Sequence, residues 1–134
     1  MKGRVGKLII GAMAKILIVD DNGQIRNMYS QVLSVRGYQV AVAGDGLEAV
    51  AKIGSEMPDL ILLDVMMPKL SGMKVLEAVR ANAKTKSIPV VMFTNLANEA
   101  DAKRAKELGV SKYLIKSDVD PTQLVGLVDE MVKK

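Results

Sequence analysis

The residues that could carry chemistry in this chain are carboxylates, a hydroxyl and a lysine, because the sequence contains neither histidine nor cysteine. That composition removes the commonest general base and the thiolate metal ligand. The candidates are Asp20, Asp21, Asp64, Thr94 and Lys116. Three carboxylates close together in a partly dry cleft repel one another and need a cation, and Mg²⁺ prefers such oxygen ligands. We therefore expect a Mg²⁺ site, which Mn²⁺ could also fill.

These residue types suit phosphoryl transfer to a carboxylate. Asp64 would be the nucleophile, because a carboxylate is a competent acceptor in aspartyl-phosphate chemistry. Lys116 would neutralise charge on the incoming phosphate, and the Thr94 hydroxyl would donate a hydrogen bond to one of its oxygens.

Five short apolar runs alternate with five amphipathic stretches, which is typical of parallel strands joined by helical crossovers. Several runs are apolar at successive positions, and this indicates strands that are buried on both faces. Gly54 is expected just past the second helix. The predicted strands are residues 16–19, 39–43, 60–63, 89–93 and 113–115, and the predicted helices are 24–35, 47–53, 73–81, 99–108 and 122–132.

The candidate residues lie at the carboxyl ends of four predicted strands. Asp20 and Asp21 follow the first strand, Asp64 follows the third, Thr94 the fourth and Lys116 the fifth. All strands of a parallel sheet end at the same edge, and ligands of open α/β sheets bind there, where the strand order reverses. We therefore predict one site at that edge.

Four segments together resemble the response-regulator receiver family, which is also called CheY-like. They are Val19-Asp20-Asp21-Asn22, Leu63-Asp64-Val65-Met66-Met67-Pro68, Thr94 and Lys116. The resemblance covers Lys15 to the C-terminus. It implies an α/β fold of the flavodoxin-like type, a doubly wound five-stranded parallel sheet in the order 2-1-3-4-5 with five helices.

The resemblance also implies a role for each candidate. Asp64 would be the phospho-acceptor, Asp21 and Asp64 would bind the metal directly together with the Met66 carbonyl, and Asp20 would bind it through water. Thr94 and the aromatic residue Tyr113 would form a switch.

The same resemblance implies the partners of the chain. A sensor histidine kinase or a histidine phosphotransfer protein would donate the phosphoryl group, and a downstream protein would read the face made by the fourth helix, fifth strand and fifth helix. The chain would then be a phospho-acceptor with Mg²⁺-dependent phosphotransfer and self-dephosphorylation, not a conventional enzyme.

Two departures from the family pattern matter. Ser117 follows Lys116 where the family has proline, often after a cis bond, and a cis bond to a non-proline residue costs roughly 3 to 4 kcal/mol. The Lys116–Ser117 peptide is therefore predicted to be trans or strained. Apolar side chains at Met66 and Leu96 cannot orient a hydrolytic water, so we expect slow self-dephosphorylation.

Three other functions remain to be weighed. A flavodoxin-like cofactor binder would need a loop rich in Gly, Ser and Thr after the first strand to hold a phosphate. This chain has Asp20-Asp21-Asn22 there. A haloacid-dehalogenase-like phosphatase carries its nucleophile on the first strand in an Asp-x-Asp pattern that is absent here. A phosphorylation-independent pseudo-receiver scaffold is the main alternative, because of Ser117.

Size and charge limit the function further. A chain of 134 residues fits one domain, and we expect residues 1–12 to be an N-terminal extension and 13–134 a stand-alone receiver, a monomer or weak dimer. The extension carries three of the four net positive charges, so the remainder lacks the clustered positive field that nucleic-acid binding needs. No apolar run could span a bilayer. Together with the absence of cysteine, this predicts a cytoplasmic protein.

Overall fold

Five short apolar segments form one parallel sheet in the computed structural model, which describes residues 14–95 and 98–133. Their order, β2-β1-β3-β4-β5, is the predicted one. β3 and β4 are buried at every residue, as expected for inner strands that are covered on both faces. The strands are β1 (Lys15–Val19), β2 (Gln39–Ala43), β3 (Leu60–Asp64), β4 (Val90–Thr94) and β5 (Lys112–Ile115).

Five helices connect and flank these strands. Most begin at a polar side chain that accepts hydrogen bonds from backbone N–H groups of the first turn, for example Asn22 before the first helix and Ser71 before the third. A short 3₁₀ helix, Lys116–Asp118, follows β5. The helices are α1 (Gly23–Val35), α2 (Gly46–Glu56), α3 (Gly72–Ala81), α4 (Glu99–Glu107) and α5 (Pro121–Lys133).

The predicted end of the second helix was wrong. Gly54 lies inside α2, and the helix continues to Glu56. A Cβ at Gly54 would meet nothing within 4 Å, so packing does not require a glycine at this position. Met57 ends the helix instead, with φ 45° and its N–H bonded to the Ile53 carbonyl. A glycine therefore indicates a helix end only where the backbone needs a left-handed residue.

Successive side chains of each strand point to opposite faces of the sheet, and this separates the core into two layers. On one face, α1 and α5 pack against Ile18, Leu62 and Phe93. On the other face, α2, α3 and α4 pack against Val19, Leu63 and Met92. We call these the α1/α5 face and the α3/α4 face. The residue that ends each strand continues this alternation, which determines the layer that it joins.

Two predictions fall on residues that the structure does not describe. They are the N-terminal extension, residues 1–12, and the apolar side chain of Leu96. Within the described part of the chain, none of the helices is both long enough and apolar enough to cross a bilayer.

Candidate functional site

Two buried carboxylates lie side by side at the carboxyl edge of the sheet. Asp64 is the last residue of β3 and Asp20 follows β1, and each is only 3% exposed. Strand alternation places both on the α1/α5 face, because Ile18 and Leu62, two residues earlier, belong to that layer. Burial of two carboxylates requires a neutralising partner.

Lys116 is that partner in this structure. Its Nζ lies 2.7 Å from Asp20 Oδ2 and 3.3 Å from Asp64 Oδ1. The Lys116–Ser117 peptide is trans, which is one of the two predicted alternatives. Lys116 opens the 3₁₀ helix after β5, so its side chain reaches the two carboxylates without a proline at the next position.

The third acidic residue, Asp21, completes a group that could hold a metal ion. Asp20, Asp21 and Asp64 each offer one carboxylate oxygen, and these oxygens lie within 4.8 Å of one another. Asp21 is exposed, so water can reach this side of the group. An all-oxygen group of carboxylates with one exposed member matches the ligand preference of hard divalent cations.

The electrostatics of the site reflect this crowding. Burial raises the pKa of Asp64, the charge of Asp20 raises it further, and Lys116 lowers it, with a net value of about 6. Burial lowers the pKa of Lys116, but its hydrogen bond and charge interactions with Asp20 and Asp64 outweigh this, so the net pKa is raised. Lys116 is therefore a stable cation, whereas the charge of Asp64 is costly in the metal-free protein.

Backbone and side-chain contacts fix the first acidic loop. The Asn22 N–H donates to Asp20 Oδ1 at 2.9 Å, and Arg26 Nη1 donates to the Asp20 carbonyl oxygen at 2.7 Å. Sequence reasoning missed Arg26. A positive side chain so close to a helix N-terminus is unfavourable for the helix dipole, and that was a signal that it serves a specific acceptor.

The loop after β3 depends on a close approach at Gly72. A Cβ at this position would overlap the backbone carbonyl oxygen of Asp64 and crowd the Cα of Val65. The Gly72 N–H donates to the Val65 carbonyl at 2.9 Å. The absence of a side chain therefore lets α3 start directly against the backbone of Asp64.

We expect Gly72→Ala to destabilise the protein by about 2 kcal/mol or more, because the overlap must displace backbone atoms. It should also weaken Mg²⁺ binding, since the displaced backbone carries Asp64. Gly126→Ala in α5 is the control: its Cβ would meet nothing within 4 Å, and the change should be neutral or stabilise by up to about 1 kcal/mol. Urea denaturation and Mg²⁺ calorimetry would measure both effects, and equal behaviour of the two variants would contradict the prediction.

Thr94 and Tyr113 belong to the other face of the sheet. Thr94 ends β4 and is 2% exposed, and Tyr113 packs against the α3/α4 layer. The Tyr113 hydroxyl oxygen is buried, and no described residue gives it a hydrogen bond of standard geometry. Burial and Asp101 raise its pKa, whereas the nearby Thr94 hydroxyl lowers it, and the net pKa is raised. The two predicted switch residues are therefore neighbours, with the tyrosine already turned inwards.

Met66 lies at the mouth of the site. Its side chain is 67% exposed, and its N–H donates to Asp64 Oδ1 at 3.4 Å. An exposed apolar side chain two residues after the buried carboxylate is available to a group that approaches Asp64 from solvent.

The sequence and the fold have counterparts among known proteins. The family model for the response regulator receiver domain matches residues 16–129. The protein named "Probable transcriptional regulator ycf27" of Guillardia theta is 40% identical over 134 residues, which are 100% of this chain and 51% of that protein. The phosphate regulon transcriptional regulatory protein PhoB of Escherichia coli (strain K12) is 36% identical over 120 residues, 90% of this chain and 52% of that protein. The chain thus spans about half the length of the curated relatives it matches.

Solved structures match this chain over nearly the whole length of their own chains. The chemotaxis protein CheY4 of Vibrio cholerae superimposes with a TM-score of 0.82 at 36% identity, over 90% of this chain and 99% of that one. A response regulator receiver domain protein (CheY-like) of Methanospirillum hungatei gives 0.82 at 29% identity, over 90% and 94% of the two chains.

Proposed function

Because this chain belongs to the response regulator receiver family of two-component signal transduction, we propose that Asp64 is its phospho-acceptor. The observation that carries the proposal is the pairing of the buried Asp64 carboxylate with Lys116 at 3.3 Å, next to Asp20 and Asp21. A nucleophile with a cation beside it and further carboxylates for a metal ion is the arrangement that phosphoryl transfer requires.

The phosphoryl group would come from a phosphohistidine of a sensor histidine kinase or a histidine phosphotransfer protein, since this chain has no histidine. The phosphorus–nitrogen bond of the donor breaks as an Asp64 oxygen forms a bond to phosphorus, and the donor imidazole leaves. Lys116, already between two carboxylates, turns its ammonium towards a phosphoryl oxygen. The Thr94 hydroxyl donates to another.

The acidic group would hold Mg²⁺, or Mn²⁺ in its place. Asp21, Asp64 and the Met66 carbonyl would be direct ligands and Asp20 a ligand through water, and the ion would supply positive charge to the phosphoryl oxygens. The fit rests on the three carboxylate oxygens within 4.8 Å of one another and on the exposure of Asp21.

The output would depend on Thr94 and Tyr113. The two side chains are neighbours on the α3/α4 face, so movement of Thr94 towards a phosphoryl group changes the surroundings of the Tyr113 ring. Because Tyr113 is already turned inwards, phosphorylation would fix this position more than create it. A downstream protein would read the surface of α4, β5 and α5.

Intact mass after incubation with acetyl phosphate and Mg²⁺ tests the proposal, with Asp64→Asn as the matched variant. We expect a phosphate adduct on the parent alone. No adduct on the parent, together with no binding of fluoroberyllate, would favour the alternative of a phosphorylation-independent scaffold. The trans Lys116–Ser117 peptide does not favour the scaffold, since Lys116 reaches both carboxylates.

We also propose that self-dephosphorylation is slow. The exposed thioether of Met66 cannot hold a water molecule in line with the phosphorus. Met66→Asn supplies an amide that can, so we expect phosphate loss to accelerate by about tenfold, less than the roughly hundredfold or more of a true general base. The decay of the phosphate adduct after removal of acetyl phosphate measures this, and an unchanged half-life would contradict it.

The relatives bear on the wider role of the chain. Two are named transcriptional regulators and are about twice as long as the matched region. The absence of a nucleic-acid partner, the cytoplasmic compartment and the weak or absent dimerisation therefore stay predictions for these 134 residues.

A further inference from the structure

The hydroxyl group of Tyr29 is a polar atom without a use in the site as described so far. Tyr29 lies in α1 and is 5% exposed, and its ring packs against Phe93 with the ring centroids 6.1 Å apart. Among the described residues, none forms a hydrogen bond with this hydroxyl. The hydroxyl oxygen is not sealed off as that of Tyr113 is. A tyrosine hydroxyl in such a place normally serves a partner.

The ring contact with Phe93 places Tyr29 on the same face of the sheet as the charged group, next to the strand end that carries Asp64. Phe93 pairs in register with Asp64 across β3 and β4. Both Tyr29 and Phe93 belong to the α1/α5 layer, and Asp20 and Asp64 continue that face of the sheet. The ring therefore lies against the residue that stands beside Asp64 on the neighbouring strand.

The charges that act on Tyr29 agree with this position. Burial raises the pKa of Tyr29, the charge of Asp20 raises it next, Lys116 lowers it and Asp64 raises it, with a raised net value. The three charged groups are all members of the site, and Asp20 is foremost among them. The hydroxyl is therefore a neutral hydrogen-bond donor at any physiological pH.

The unphosphorylated site does not need this donor, but the phosphorylated site would. Lys116 now makes its shortest contact, 2.7 Å, with Asp20 Oδ2. If Lys116 turns to a phosphoryl oxygen, that carboxylate oxygen loses its cationic partner while it remains buried. The loss of a charged donor from a buried carboxylate oxygen is costly.

We propose that Tyr29 is a positioning residue of the phosphorylated site, whose hydroxyl donates a hydrogen bond to the Asp20 carboxylate when Lys116 leaves it. The proposal rests on the proposed function, since it requires that Lys116 serve a phosphoryl group on Asp64. Tyr29 acts through Asp20 and does not touch the phosphoryl group itself. Its effect belongs to the phosphorylated state alone.

Tyr29→Phe tests this, because it keeps the ring contact with Phe93 and removes only the hydroxyl. We expect the affinity for fluoroberyllate at saturating Mg²⁺ to fall about tenfold, as for the loss of one hydrogen bond to a charged acceptor. The affinity for Mg²⁺ alone should stay within about twofold of the parent, because Lys116 still serves Asp20 in the unphosphorylated site. Titration calorimetry measures both affinities.

Tyr38→Phe is the matched control. Tyr38 follows the C-terminal end of α1, opposite the end that carries the acidic loop, and its hydroxyl donates to Asp129 of α5. Its loss should lower the melting temperature and leave both affinities unchanged. A fall in fluoroberyllate affinity in both variants would mean a general loss of stability and would overturn the proposal.

Two other outcomes also overturn it. If Tyr29→Phe binds fluoroberyllate as tightly as the parent, the hydroxyl has no role and the proposed function stands without it. If Mg²⁺ affinity falls in the same proportion, Tyr29 acts in the unphosphorylated site and the exchange with Lys116 is wrong. A parent that fails to bind fluoroberyllate would instead remove the proposed function, and this inference with it.

Discussion

The metal-free Asp64→Asn variant is expected to melt about ten degrees higher than the parent at pH 7 while it loses all phosphoryl acceptance. The pKa of the Asp64 carboxyl is raised to about 6 in the folded protein, against an ordinary value of 3.8. The folded state therefore binds this proton more tightly than the unfolded state does. At pH 7 the carboxylate is charged in both states, and the difference costs the fold about 3 kcal/mol.

The sign of this effect fixes its pH dependence. The proton on Asp64 stabilises the fold fully below about pH 4, and that contribution is lost as the pH rises to about 6. Asparagine does not titrate, so the advantage of the variant should appear between these values and persist above them. Melting curves in a chelator from pH 4 to pH 8 measure it.

Glu130→Gln is the control for charge alone. Glu130 is exposed on α5, so this change should move the melting temperature by no more than about one degree. Mg²⁺ should narrow the gap between the parent and Asp64→Asn, because a ligand that binds only the folded state stabilises it. A parent that melts as high as Asp64→Asn without metal would show that Asp64 is not strained by its charge.

Removal of Lys116 should lower the stability of the fold, in contrast to Asp64→Asn, and should also impair phosphorylation of Asp64. Lys116→Met leaves Asp20 and Asp64 buried together without the cation that now lies 2.7 Å and 3.3 Å from their oxygens. We expect a loss of about 3 to 5 kcal/mol at pH 8, much of it recovered in acid as Asp64, whose pKa burial already raises, takes up a proton. Urea denaturation at the two pH values measures this.

The phosphorylation rate of Lys116→Met with acetyl phosphate should fall by at least about a hundredfold, since a preorganised charge is lost from the transition state. Lys112→Met is the control, because Lys112 is exposed at the start of β5, and it should be phosphorylated as fast as the parent. If Lys116→Met is destabilised but reacts at the parent rate, Lys116 is a structural counter-ion and not part of the chemistry.

The architecture could be predicted from the sequence because its signals are strong and local. The apolar runs of β1, β3 and β4 are too short for core helices and too apolar for surface loops, so they indicate buried strands. The order of the sheet, which the family resemblance implied and the apolar runs did not, is confirmed. The ends of the helices were harder to predict from the sequence than the strands. Gly54 looked like a stop signal, but a glycine on a solvent-facing side of a helix is tolerated when the next turn is well formed.

The charged residues of the site were predictable for a related reason. Strand ends converge at one edge, so Asp20, Asp64 and Lys116 had to meet wherever the sheet was correct. Tyr29 and Arg26 were not found, because their part in the site depends on the packing of α1 against the sheet and not on the strand ends. From sequence, a tyrosine on the apolar face of an amphipathic helix is interpreted as a core residue. Only the structure shows which groups surround its hydroxyl.

The division of the sheet into two faces has a consequence for how such a protein can diverge. The acceptor carboxylates and Lys116 share a layer with α1 and α5, whereas Thr94 and Tyr113 share one with α4. The sheet therefore separates the acceptor carboxylates from the switch residues, and the two groups meet at its carboxyl edge, where Thr94 ends β4. Substitutions on the outer surface of α4 could therefore change the downstream partner without moving the acceptor carboxylates, whereas substitutions in α5 would affect both the layer of the site and the output surface.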